Sequence, residues 1–196
     1  MNKFIKNFKM FKSQKLRNVE KMNDINNGNR SLYESVVSNE VLKALTDWLN
    51  NNGSDCVLIG GLALSYYTKP RATMDVDVLY LTKDDIPTEV NGFKRNRNSA
   101  FQHNKTHVEI DLVTTQSINR SDEFVKAIFD TSIKIDNIRI ASPSGLVALK
   151  LKRFQLQDQA DIAALIRCSK IDLEPFNLSK ELLNNYNKIL EILKNE

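Results

Sequence analysis

Between Met74 and Leu81 the chain alternates, with Met74, Val76, Val78 and Tyr80 on one side of an extended strand and Asp75, Asp77, Leu79 and Leu81 on the other. No other stretch restricts the fold as much. The apolar side must lie on a core, and two carboxylates two residues apart project together from the opposite side, close enough to share a cation. Left unpaired, they would repel each other and one pKa would rise. A divalent ion removes that penalty, and hard oxygen donors on one rigid strand suit Mg²⁺, which keeps waters and takes substrate phosphates as further ligands. His107 to Thr115 alternates again, with Val108, Ile110 and Leu112 opposite Glu109, Asp111 and Val113. Asp111 there offers a third carboxylate, able to bind a second ion and to accept the proton of an attacking hydroxyl. Glu109 shares its face and is the alternative ligand.

Ahead of these strands, Cys56 to Ile59 reads as a short buried strand, and Gly60-Gly61 turns it into a helix through Leu62, Leu64 and Tyr67 that Pro70 ends. A sharp strand-to-helix turn leaves backbone N–H groups free at a helix N-terminus, and glycine lets a phosphate approach them. Arg71, just before the aspartates, is placed to pair with a phosphate or with Asp75.

The order of these parts carries a resemblance. A hydrophobic residue before Gly60-Gly61, a 13-residue spacer (Leu62 to Met74), Asp75-Val-Asp77 and the later Ile110-Asp-Leu112 resemble the polymerase-β-type nucleotidyltransferase superfamily. Within it, Gly-Gly-Leu-Ala, Arg71-Ala-Thr73, Ser142-Pro-Ser-Gly-Leu-Val-Ala-Leu-Lys150 and Asp158-Gln-Ala-Asp161 are similar to the AbiEii-like branch, which includes toxins of type IV toxin–antitoxin systems. The similarity covers roughly residues 57 to 165. It implies that Gly60, Gly61 and Ser65 hold the triphosphate of an NTP, with Arg71 and Thr73 beside it. It further implies that Asp75, Asp77 and Asp111 are catalytic ligands of two Mg²⁺ ions, that Lys150 is a catalytic, nucleotide-contacting lysine near the site, and that Asp161 is its acidic partner in the nucleotide-binding set. Lys152-Arg153-Phe-Gln-Leu-Gln-Asp158 departs from the pattern, which is richer in Lys/Arg just before these last aspartates, and this weakens the assignment of Asp158 and Asp161.

The flanking elements follow from periodicity. A helix is expected from Ser31-Leu-Tyr-Glu34, a capping-box pattern, through Val37, Val41, Leu45, Trp48 and Leu49 to Asn52-Gly53. A hairpin is expected at Ile133 to Ile140 around Asp136-Asn137. Ser142-Pro143 opens a helix running toward Phe154, another covers Asp158 to Arg167, and a last one begins near Leu178. Helices around a small mixed sheet, with no repeat, predict an α+β (α/β) fold with a C-terminal helical segment. The expected divisions are a basic flexible tail over 1–30, a catalytic core over 31–141, and helices over 142–196 packing on it. An arm touching RNA or membrane is the alternative for the tail.

Charge is uneven. Residues 1–30 hold eight Lys/Arg and two Asp/Glu, a net +6, so the remainder is −2 within a chain of +4. No run of 18 or more apolar residues exists and no secretory h-region, which points to a cytoplasmic protein. Cys56 and Cys168 have no metal spacing and read as two buried, reduced thiols. His103 and His107 read as surface residues. Asn91 to His107 contains Lys94, Arg95, Arg97 and Lys105 without an acid and reads as a loop: a mobile, solvated one, or a guide for RNA. The resemblance implies a Mg-dependent transfer of NMP from NTP to an acceptor hydroxyl on tRNA, other RNA or protein. An antibiotic-modifying enzyme and a silent, antitoxin-like nucleotide-binding partner are the alternatives, and an antitoxin is a candidate partner.

Overall fold

A computed structural model describes residues 39–51, 55–68, 73–97, 99–135 and 138–195. The expected basic tail, the Ser31-to-Glu34 cap, Asn52-Gly53, Arg71 and the Asp136-Asn137 turn lie outside them.

Seven strands form one mixed sheet. They are β1 (Val57–Leu58), β2 (Val76–Leu79), β3 (Phe93–Arg97), β4 (Ala100–His103), β5 (Glu109–Val113), β6 (Ile133–Ile135) and β7 (Ile138–Ile140). Their order across the sheet is β3-β4-β5-β2-β1-β7-β6. β2–β5 and β1–β7 pair in parallel and the other neighbours are antiparallel. Among the described residues, seven α-helices flank the sheet: α1 (Asn39–Asn51), α2 (Gly60–Tyr67), α3 (Thr115–Ile118), α4 (Asp122–Thr131), α5 (Pro143–Lys150), α6 (Leu156–Cys168) and α7 (Lys180–Lys194). The fold is therefore the expected mixed α/β arrangement with a C-terminal helix.

Registered partners in neighbouring strands share a face, so the pairings sort the sheet into two unlike sides. On one side, Val76 pairs with Ile110 and Phe101 with Ile110. Phe93 pairs with His103 in the same alternation. This side is mostly apolar and α1 covers it. Trp48, fully buried, stacks edge-on to Phe93 at 5.2 Å and tilted against Phe101 at 5.3 Å. Burying an aromatic of this size is among the largest single contributions to a core. On the other side, Asp77 pairs with Asp111 and Asp111 with Ala100, which in turn pairs with Arg97. One row of side chains thus runs Arg97, Ala100, Asp111, Asp77 across four strands.

α2 packs on β2, and α5 and α6 pack on α2. Ser142 caps α5 by accepting from the Gly145 N–H at 3.0 Å, with Pro143 in the first turn.

Several expectations need correction. The 91–107 segment is a β-hairpin, β3–β4, that extends the sheet, not a loop; its exposed charged side chains had hidden a strand whose apolar anchors are Phe93 and Phe101. Its basic residues also divide between the two sides. Lys94 pairs with Gln102, and Gln102 with Glu109, which places Lys94 on the carboxylate side. Arg95 lies over the Phe101 ring at 5.3 Å, on the α1 side. α5 ends at Lys150 and does not reach Phe154, which takes a left-handed φ of 50° in the turn that follows. His103 is buried, accepting no solvent: its Nε2 lies 3.0 Å from Asp47 on α1 and its Nδ1 2.7 Å from the Thr106 hydroxyl. His107 is exposed as expected. Cys56 is buried, but Cys168 is exposed; both are free thiols.

Candidate functional site

The glycine turn and β2 meet at one point. Ile59 donates its N–H to the Asp77 carbonyl at 3.0 Å, tying the end of β1 to β2. The chain then turns through Gly60 at φ +65°, a left-handed conformation that an L side chain resists. A methyl group on Gly60 would lie 1.8 Å from Asp77 Oδ2 and 2.6 Å from its Cγ. The carboxylate of Asp77 thus occupies the space a side chain at 60 would need, directly beside the start of α2. Glycine is required here twice over, by φ and by close approach.

Asp77 and Asp111 are direct cross-strand partners in the parallel β2–β5 pair. Asp75 sits just before β2, exposed, where the Thr73 hydroxyl donates to its Oδ1 at 3.2 Å and its carbonyl at 3.3 Å. Asp111 lies near enough to Asp75 to sense its charge. Burial first, then the like charges of Glu109 and Asp75, raise the Asp111 carboxyl above its ordinary value, while Arg97 opposes them. Arg97, on the edge strand β3, donates to Asp111 Oδ1 at 3.1 Å and makes a very short contact with Glu109 Oε1. The role of Arg97 was not legible in the sequence; its only trace was membership of a basic stretch.

The remaining predicted residues divide. Ser65 is buried, and its hydroxyl already donates to the Gly61 carbonyl at 2.9 Å within the first turns of α2. Lys150 and Asp161 come together: Lys150 Nζ lies 2.7 Å from Asp161 Oδ2 and 3.5 Å from Asp158 Oδ1. Asp158, only 1% exposed, also accepts two bonds from Arg153, at 2.7 and 2.8 Å, and one from the Gln155 N–H at 3.2 Å. Burial alone would raise the Asp158 carboxyl; Arg153, Lys150 and the Gln155 N–H together hold it below the usual range. Asp158 is therefore a fixed part of this cluster even though the segment before it lacks the expected extra cations. Arg153 supplies the charge instead, and it lies within electrostatic reach of Asp77. The cluster stands on α5, α6 and the turn between them, against α2.

Among the described residues, no three or more His, Cys, Asp or Glu side chains sit close enough together to hold a metal ion as they stand. The donor chemistry nevertheless suits a hard divalent cation. Two carboxylates are in register on adjacent strands, a third precedes them, and the burdened Asp111 carboxyl is the kind of crowded anion a cation relieves.

A family model described as a nucleotidyltransferase of unknown function (DUF6036) matches residues 36–194. A comparison with curated proteins finds no match. The matched span takes in every described element, from the carboxylate row and glycine turn to the α5–α6 charge cluster and α7.

Proposed function

This chain belongs to the DUF6036 nucleotidyltransferases, and on that premise we propose that it moves a nucleoside monophosphate from an NTP to an acceptor hydroxyl in a Mg²⁺-dependent reaction. The observation that supports this reading best is the pairing of Asp77 with Asp111 on adjacent strands, with the Gly60 turn packed on the Asp77 carboxylate.

Each residue has a role that its position suits. Asp75 and Asp77 are the metal ligands, Thr73 orienting the first and the Gly60 backbone the second. The start of α2 offers backbone N–H groups and the positive end of a helix dipole to the triphosphate. When bound, Mg²⁺ neutralises phosphate charge and stabilises the leaving pyrophosphate. Asp111 faces the same space from the neighbouring strand, and its raised carboxyl is poised to take the proton of the attacking hydroxyl. Lys150 and Asp161, buried against each other, hold the α5–α6 corner that carries Arg153 toward the site. Arg71 and Ser65 remain in the nucleotide-binding set only by resemblance, and Ser65 would have to give up its bond to Gly61 to join it.

For the acceptor we favour RNA, as in an AbiEii-like, toxin-type enzyme. The carboxylate side of the sheet is bordered by Lys94 and Arg97 on the exposed edge strand, which suits a polyanion. The deciding experiment incubates the protein with each labelled NTP, Mg²⁺ and total RNA. Label on RNA that disappears with Asp77→Asn supports the proposal. Label on protein alone redirects it to a protein acceptor. No transfer to any acceptor, with wild type and Asp77→Asn alike, defeats it.

A further inference from the structure

Arg97 is an exposed residue on an edge strand, yet it reaches two residues inward across the sheet. Its registered partner on β4 is Ala100, which is fully buried, and Ala100 in turn pairs with Asp111. A larger side chain at 100 would fill the gap between them. The small methyl leaves a channel along the row, and through it the guanidinium arrives 3.1 Å from Asp111 Oδ1 while also engaging Glu109. β3 carries a register shift between Arg95 and Arg97 that brings Arg97 level with Ala100; bulges of this kind re-aim a side chain. Asn96 adds a further bond to Glu109 at 3.2 Å, so the same strand end grips both acids.

We propose that Arg97 is a positioning residue acting through Asp111, an internal cation that competes with a divalent ion for this carboxylate and must withdraw toward Glu109 for Asp111 to join Asp75 and Asp77 at the ion. The inference rests on the nucleotidyltransferase reading of the site. A guanidinium and a divalent ion on the two oxygens of one carboxylate repel each other, so occupancy by one lowers affinity for the other. Glu109 gives the displaced guanidinium a place to stay, which makes the exchange a short swing instead of a loss of contact. Glu109 is thereby the holder of Arg97, not the third ligand. Arg97 is more than half exposed, so a polyanionic acceptor can also draw the guanidinium away from Asp111.

The test is Mn²⁺ binding, followed by calorimetry and by the Mn²⁺ electron paramagnetic resonance signal, for wild type, Arg97→Ala, Arg97→Gln, Asp77→Asn and Asp111→Asn. Removing Arg97 is expected to tighten Mn²⁺ about tenfold at low salt, the factor given by a unit charge roughly 5 Å from a divalent ion in a water-like dielectric. The gain should shrink as ionic strength rises, which a purely structural role for Arg97 would not produce, and it should vanish in Arg97→Ala/Asp111→Asn. The two neutral replacements guard against a local packing effect of either one. Equal Mn²⁺ affinity in wild type and both Arg97 variants, with binding still lost in Asp77→Asn, overturns the proposal and leaves the nucleotidyltransferase site intact. Binding that is insensitive to Asp77→Asn and to Asp111→Asn overturns both.

Discussion

Gly60 and Asp77 compete for the same volume. The carboxylate wins because glycine has nothing to put there, and the +65° φ of Gly60 follows the same demand. Gly60→Ala should therefore cost well over the ~1 kcal/mol of a left-handed alanine, because the Asp77 carboxylate must also move. Urea melts would read the stability loss, and nucleotide titration a parallel loss of NTP binding. A variant with unchanged stability would show that the turn is not as tight as drawn. The two cysteines make a simpler case. Burial pushes the Cys56 thiol up to about 11, while Cys168 is exposed. Iodoacetamide at neutral pH should add one carbamidomethyl group per native chain, at Cys168, and two after unfolding. Mass spectrometry of the native protein finding Cys56 modified first would contradict this packing.

The α5–α6 corner is an element held by charge. Lys150 is nearly buried between Asp158 and Asp161, and Arg153 closes the other side of Asp158. Removing one partner of such a cluster strands the rest. Lys150→Met should lower stability by roughly 3 kcal/mol, the usual cost of leaving a buried charge uncompensated, whatever Lys150 contributes to catalysis. The cluster also predicts a pH signature. The Asp158 carboxyl is depressed below its ordinary 3.8 in the folded chain. Its contribution is therefore fully present above pH 3.8 and is lost as pH falls through the lower folded value. The stability gap between wild type and Asp158→Asn should be constant from pH 7 to 5 and narrow below 3.8. Denaturant melts across that range that show a gap widening in acid would reverse the assignment.

Across the molecule, the sheet has one sealed side and one that carries the proposed site. One side is sealed by α1 through Trp48, Phe93, Phe101 and the buried His103–Asp47 contact. The other presents the row from Arg97 to Asp77, and α2 with its supporting helices borders it. Alternation along β3 divides its basic residues between the two sides, Lys94 with the carboxylates and Arg95 over Phe101. If RNA is the acceptor, Lys94→Ala, on the carboxylate side, should weaken RNA binding and flatten its salt dependence by about one ion. Arg95→Ala, on the α1 side, should leave both nearly unchanged. Equal effects from the two substitutions would mean that RNA does not approach across the carboxylate face. Among the described residues, no helix is long and apolar enough to cross a membrane.

Local rules were enough to read much of this chain. Period-two alternation marked β2 and β5 and put Asp77 and Asp111 on the polar side of each. Ser142-Pro143 marked the start of α5, and Gly60-Gly61 the turn into α2. Those signals lie within a few residues of what they specify. α4 was missed although Ser121 caps it and Phe124, Val125 and Ile128 form its buried stripe, a pattern that was present but short. What could not be read is set by partners distant in the chain. His103 meets Asp47 more than fifty residues before it, and the basic strand β3 finds its place in the sheet only through β4, which pairs with β5. The same holds for the site: each aspartate was visible alone, but their alignment, the methyl-sized gap at Ala100 and the reach of Arg97 exist only once β3, β4, β5 and β2 pair in one register. Pairing register is a non-local quantity, fixed by packing both sheet faces at once, and no window of sequence contains it.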